Sequence, residues 1–555
     1  MPIFALRSKN DLGVGDTECV REMIDWCANH RFSLLQLLPI NESGNDNSPY
    51  NAISSMALDP TTITISPRHL ADLTPTTFRK LAPRSLLKEL RQGPVQYQKV
   101  KLLKLQLLRA AFARFLKIHD VGNTERARQF RAFRVANKGW MDDYALFRTL
   151  VQQHHNSAVW DQWPPEHSSP TEARKWIQSL PATGQNEFNE TLLFFSYIQF
   201  IARQQWTDLK RYGEQRGVAL MGDIPFGIAR YSADVWANRP LFDLKWSCGA
   251  PPETFFNPDL FTEKWGQNWG IPLYRWDKMK EDSYTWWRAR VRGTSKFFHF
   301  FRIDHVLGFY RIYAFPWRPE ENHLFTPLSR EEARAKAGDP PRFWPGDDNH
   351  PQQKLLNQEH GEELLRAVLD AAGATGVVGE DLGMVPDYVR PSLMQLGIPG
   401  FKIPLFERNP DGSYKDPTIY EPLSVATLAT HDHEPMAALW KRWETAPEGA
   451  AERRHLLNWI GWDSNQPPHE FTGELHAAIC RKLLACPSWM AIFMITDLFA
   501  QTQRFNVPGP MSESNWTERL AVPVSQWDDS LEIAARARIL QQLIHESGRT
   551  STAGP

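Results

Sequence analysis

Apolar runs bounded by glycine or aspartate recur along this chain, separated by stretches of helical periodicity. The runs are "VALMGDIPFGI", "FFHFFRIDHVLGF", "GATGVVGEDLG", "GFKIPLF", "SVATLATHD" and "WMAIFMITDLF". Short runs that are apolar throughout suit strands covered on both faces. Such strands are parallel, with helices packed against them. The helix-like "EHGEELLRAVLDAA" leads into the third run. The opening repeats the pattern: "REMIDWCANH" reads as an amphipathic helix, and residues 32–40, "FSLLQLLPI", as an inner strand. So many units in one chain predict an α/β fold, a (β/α)8 TIM barrel rather than an open doubly wound sheet. No GxGxxG follows a strand and no P-loop pattern is present.

At 555 residues the chain is too long for one small core. Residues 1–66 and 207–540 are assigned to the barrel, 67–206 to a mostly helical insertion, and 541–555 to a flexible tail. In the insertion, "KLLKLQLLRAAFARFLKIH" sets Leu105, Leu108, Phe112, Phe115 and Leu116 at helical spacing, as a core-facing stripe. The basic run at 126–134 reads as a solvated helix face.

Basic and acidic residues nearly cancel, 63 against 64, so no overall field argues for nucleic acid or membrane as a partner. No apolar run approaches the length of a membrane span, and the N-terminus has no signal-like apolar segment. The five cysteines form no C-x-x-C pair, which suits free thiols in a reducing compartment and predicts a cytoplasmic protein. The 22 Trp and 31 Phe suit a large core, and also a groove lined with flat rings.

Three acidic residues fall at predicted strand C-termini: Asp304 in "FRIDH", Glu380 in "VVGEDLG" and Asp432 in "LATHDHEP". One alone is more often a cap or an ion-pair partner. Three on successive units of one barrel converge on one mouth. Convergent carboxylates are what glycosidic-bond cleavage needs: one attacks the anomeric carbon and a protonated one donates to the leaving oxygen. Arg302, two residues before Asp304, shares its strand face and is expected to keep it ionised. Asp381 and Asp304 are expected to help hold Glu380 neutral, and His305 and His431 are candidate donors to sugar hydroxyls.

An ordered set of motifs carries a resemblance. They are "SPYN" at 48–51, "GDIPFGIARYSADVWA" at 222–237, "GAPPETF" at 249–255 and "GQNWGIPLYRWD" at 266–277. "RIDHVLGFYR" at 302–311, "GEDLGMVP" at 379–386, "THDHEP" at 430–435, "RFNVPGP" and "NWTERL" complete it. The chain resembles the amylomaltases, disproportionating 4-α-glucanotransferases of glycoside hydrolase family 77 in the α-amylase clan. Among these it looks most like the plant cytosolic branch, without that branch's starch-binding modules.

The resemblance implies that Asp304 is the nucleophile, Glu380 the general acid/base and Asp432 the third carboxylate, with Arg302 orienting Asp304. It places His431 against the donor glucose, Tyr50, Gln267 and Trp269 along the glucan groove, and Asn506 and Pro508 on a loop at the same cleft. It implies transfer from maltooligosaccharides or α-1,4-glucans to glucose or a glucan, with no metal or other cofactor. The same carboxylates also suit a hydrolase, and a glycan-binding protein on the same barrel is the non-catalytic alternative. Three positions depart from the family pattern: Tyr231 before "SADVW", Thr254 in "PPETF", and His433 after Asp432.

Overall fold

The computed structural model describes the chain except residues 45, 254–258, 464–467, 509–513 and 550–555. Helix α1 (Thr17–Asn29) begins at Asp16, whose carboxylate accepts the Glu18 and Cys19 N–H groups. It buries Val20, Met23 and Ile24 and leads into strand β1 (Leu34–Gln36). Six more parallel strands follow: β2 (Ala219–Ile224), β3 (Phe300–Ile303), β4 (Gly376–Gly379), β5 (Gly400–Lys402), β6 (Ser424–Thr427) and β7 (Met490–Ile492).

Strands β1 to β4 form one parallel arc in chain order, and β5 to β7 another. The Gly379 N–H donates to Pro399 O at 3.0 Å and joins the arcs. Beside β1, Leu38 N–H donates to Met1 O at 3.2 Å, and the Met1 amino group to Gln36 O at 2.8 Å. All seven strands meet in one interior cluster: Leu34, Met221, Phe300, Val378, Phe401, Val425, Met490 and Ile492. This is a filled barrel centre, and its C-terminal rim is where functional side chains emerge.

The stretch assigned to the insertion is built of helices, but no boundary falls at 206. Helix α2 (Ala182–Arg216) runs through that position, with Trp206 fully buried against Phe298, and stops at Gly217 with φ +69°. Its apolar face continues into the barrel core, so no break in packing exists there. Leu108, Phe112 and Phe115 are buried, and Leu105 and Leu116 pack beside them. In the basic run, Arg128 and Arg131 are exposed and paired with Glu125 and Asp120, while Arg126 reaches inward to Asp72.

A second sheet is antiparallel: Phe242–Ala250, Gln267–Tyr274, Ile312–Phe315 and Arg342–Trp344. It flanks the barrel mouth and carries Gln267 and Trp269. The expected tail does not start at 541, because helix Leu531–Glu546 buries Leu540, Leu543 and Ile544 at helical spacing. Among the described residues no helix is long and apolar enough to cross a membrane.

The segment bearing Asn506 and Trp516 is tied to the first residues of the chain. Arg519 is 4 % exposed and donates to Leu6 O at 2.8 Å and Asp11 Oδ2 at 2.9 Å. Arg519→Met leaves Asp11 buried without its cation and is expected to cost about 3–5 kcal/mol, read from urea unfolding. A loss below about 1 kcal/mol would mean that other donors to Asp11 suffice.

Candidate active site

The register of three adjacent strands sets the site. Asp223 on β2 lies opposite Arg302 on β3, and Ile303 lies opposite Gly379 on β4. Asp304 and Glu380 therefore leave neighbouring strands just past their C-terminal ends. Their N–H groups still bond back, to Ile224 O at 3.0 Å and Ile303 O at 2.9 Å.

Arg302, 2 % exposed, is the hub. Its Nη1 donates to Asp223 Oδ2 at 2.6 Å. Its Nη2 donates to Asp304 Oδ1 at 2.9 Å and lies 3.1 Å from Glu380 Oε1. Two oxygens on one nitrogen are at most about 6 Å apart, which is on the retaining side of glycosidase geometry. His305 has φ +46°, a left-handed turn that aims its N–H at Glu380 Oε2, 2.8 Å away.

The opposite wall comes from three loops. Tyr50 donates to Asp223 Oδ2 at 2.7 Å, and its ring stacks on His431 at 4.8 Å. His431 Nε2 lies 3.2 Å from Asp432 Oδ2, and the Asn506 amide donates to Asp432 Oδ1 at 2.7 Å. Trp516 leans on both Tyr50 and His431. Across the mouth, the Trp269 indole meets His305 edge to face at 4.9 Å and donates to Gln267 Oε1 at 3.1 Å.

All predicted site residues except Arg302 line one groove of about 2490 Å³, Pro508 at its rim included, and Arg302 lies beneath it. The sequence reading missed Asp223 and Trp516. Asp223 interrupts an apolar run just as Asp304 does, and that was the available signal. Among the described residues no group of His, Cys, Asp or Glu is arranged to hold a metal ion.

The surroundings of the pair do not follow the expected division of charge. Burial pushes Asp304 well above the usual carboxylate range, against Arg302. Burial also raises Glu380, but Arg302 and the His305 N–H outweigh it and hold Glu380 below that range. The cause is geometric: Arg302 serves both, and the His305 N–H serves Glu380 alone. Such a pair titrates as a unit holding one proton. Asp381 takes no part. It faces away from the mouth, accepting from Phe401 N–H at 2.6 Å and Arg390 Nε at 2.9 Å. Burial pushes Asp223 up to about 6, and His305 and His431 down to about 4, so both imidazoles are neutral at neutral pH. Enclosure raises Asp432, but the imidazoles of His431 and His433 and the Asn506 amide hold it below its ordinary value.

Of the departures, Tyr231 lines the groove, with its hydroxyl 3.3 Å from Asp161 Oδ2 and from Arg318 Nη1. His433 turns its Nδ1 to the Thr430 hydroxyl at 2.8 Å. Thr254 lies outside the described residues.

A filled β/α barrel whose rim gathers an arginine and several carboxylates under a ring-lined groove belongs to the class that works on glycosidic bonds. A family model described as 4-alpha-glucanotransferase, glycoside hydrolase family 77, matches residues 1–524, and the chain belongs to that family. The 4-alpha-glucanotransferase of Chlamydia pneumoniae is 32 % identical over 530 residues, 94 % of this chain and 90 % of the relative. The rice enzyme 4-alpha-glucanotransferase DPE2 is 26 % identical over 99 % of this chain and 69 % of its own length. The amylomaltase of Streptococcus agalactiae, solved with acarbose, superposes with a TM-score of 0.74 at 22 % identity over 99 % of each chain. The protein is a 4-alpha-glucanotransferase on a TIM barrel.

Asp223→Asn tests the hub. It removes the carboxylate that fixes Arg302 from below, and kcat/KM for glucan transfer is expected to fall about 100-fold or more. Near-native activity in a folded variant would mean that Asp304 and Glu380 alone hold Arg302.

Proposed function

We propose that the enzyme cleaves an α-1,4-glucan by double displacement, with Asp304 as nucleophile and Glu380 as general acid and then base. The donors are maltooligosaccharides or longer α-1,4-glucans, and the acceptor is the 4-hydroxyl of glucose or of another glucan. The observation that carries this reading is the contact of Asp304 and Glu380 with one Arg302 nitrogen.

In the first step, Asp304 attacks the anomeric carbon while Glu380 gives its proton to the leaving oxygen. The pair then holds no proton, and the acceptor hydroxyl returns one to Glu380 as it attacks the glycosyl ester. The single shared proton must sit on Glu380 as the glycosidic bond breaks. Positive charge developing at the anomeric carbon favours an ionised Asp304 and drives that shift. Asp432, with its Asn506 and His431 partners, grips sugar hydroxyls and favours the distorted ring. Tyr50, Gln267, Trp269 and Pro508 border the glucan path, and the helical insertion extends it through Gln98, Lys101 and Leu105 on the groove wall. The five cysteines are free and buried, which supports a cytoplasmic setting.

Incubation with maltotriose is the direct test. Glucose together with chains longer than the substrate is the expected product pattern, whereas shorter sugars alone would make the enzyme a hydrolase. Glu380→Gln, given a donor with a good leaving group, is expected to accumulate a sugar ester on Asp304, visible by mass spectrometry. A label on another residue reassigns the nucleophile. Trp269→Ala is expected to lower transfer more than hydrolysis, because acceptor positioning is what favours a sugar over water. Equal losses in both rates would assign Trp269 to general binding.

A further inference from the structure

Asp223 uses one oxygen fully. Its Oδ2 accepts from both Arg302 and Tyr50. Its Oδ1 is buried and has no hydrogen-bond partner among the described residues. A second buried group is in the same position. Arg290, on helix Thr285–Ser295, is 3 % exposed, and its Nη1 has no hydrogen-bond partner. Its guanidinium is met by the Tyr274 hydroxyl, and the carboxylates that face it are Asp234 and Asp304. Its guanidinium lies 4.8 Å from the Trp287 ring centroid and 5.7 Å from that of Trp286. Those rings attract the cation but do not replace a hydrogen-bond acceptor.

A buried carboxylate oxygen without a donor and a buried guanidinium N–H without an acceptor are both costly. Here they occur together. Asp223 and Arg290 line one internal cavity of about 10 Å³, with Asn41, Ser55, Gly293 and Thr294 on the same wall. That is room for about one water molecule, and the wall is polar enough to hold it.

We infer that one ordered water bridges Asp223 Oδ1 and Arg290 Nη1, and that Arg290 is a positioning residue for the catalytic arginine. The water donates one O–H to Oδ1 and accepts the Nη1 N–H. The site then reads as a chain: Arg290, water, Asp223, Arg302, and finally Asp304 with Glu380. Its purpose is to keep Asp223 ionised, since a neutral Asp223 would release Arg302 to swing toward the mouth. Burial pushes Asp223 up to about 6 even against Arg302 and Tyr50, and a bridged second cation opposes that rise. The other groups facing Asp223 are Arg302, the Tyr50 hydroxyl, Glu380, Asp304 and the Met1 amino group. Burial pushes the Met1 amino group down to about 5, so it brings no charge at neutral pH. Tyr274, Asp234 and Asp304 also face Arg290.

The inference rests on the proposed roles of Asp304 and Glu380 for its kinetic consequence, but not for the water itself. A crystal structure of the full chain that resolves ordered solvent is expected to show one peak within hydrogen-bond distance of both atoms. A dry cavity, or a direct protein partner on Asp223 Oδ1, overturns it. Kinetically, removing the cation raises the Asp223 pKa. Arg290→Met is therefore expected to move the acid limb of the transfer pH profile up by about one unit, and Arg290→Lys by less. An unmoved limb overturns the positioning role. The same substitution on an Asp223→Asn background is expected to leave the limb where it stands. A shift that persists there means Arg290 acts on Asp304 directly, which also overturns the relay. If Arg290→Met does not fold, Arg290→Lys and the solvent peak decide.

Discussion

One guanidinium faces three carboxylates beneath the groove, and it cannot neutralise them all. Arg302 touches Asp223, Asp304 and Glu380 at 2.6, 2.9 and 3.1 Å in a setting nearly closed to water. Three anions around one buried cation would be strongly unfavourable, so a carboxyl among them retains a proton at neutral pH. A proton available for donation thus follows from charge balance and needs no unusual acid. Replacing Arg302 with a neutral side chain would not merely loosen the site. It would force a second proton onto the cluster and remove the anion that the proposed attack requires.

The barrel exists around that balance. Asp223 and Arg302 are register partners on β2 and β3, and Glu380 directly follows the β4 residue opposite Ile303. A slip of one residue in either ladder would turn each of these side chains to the other face. Strand alternation also explains why two consecutive acids do different work. Glu380 points into the mouth, while Asp381 points away and caps the Phe401 N–H. The cap requires close approach: a Cβ on Gly400 would lie 2.7 Å from Asp381 Oδ1. Asp381 therefore fixes β5 beside β4, and with it the rim on which Glu380 stands.

What the sequence made legible was local. Period, breakers and motif order were enough for the barrel and for the residues at its rim, because each is written in a few adjacent positions. The features it did not reveal depend on contacts distant in sequence. Asp223 looked like the end of an apolar run, and only its pairing with Arg302, 79 residues on, makes it part of the site. The boundary at 206 failed because a composition change does not stop a helix whose buried face continues. The flanking antiparallel sheet went unpredicted, since three of its four strands carry polar residues and its pairing joins segments distant in sequence. The hydrogen bond that favours an ionised Glu380 was not foreseen, because the His305 N–H that makes it depends on a backbone turn that no residue type announces.

The third carboxylate shows why the groove needs two kinds of electrostatic support. Asp432 is held first by the His431 and His433 imidazoles and the Asn506 amide, and least by the cation that Asp304 and Glu380 share. Its partners do not change charge when a proton moves within the catalytic pair. Under the proposed mechanism that proton leaves Glu380 in one step and returns in the next, so the field at the anomeric carbon alternates. A carboxylate tied to Arg302 would feel each change and shift its own proton in response. Asp432, held mainly by donors outside the catalytic pair, keeps its charge through both steps. Its grip on the sugar can then stay constant while the chemistry beside it reverses. Burial that neutralises His431 is therefore part of the site's design: it separates the charge that must stay fixed from the proton that must move.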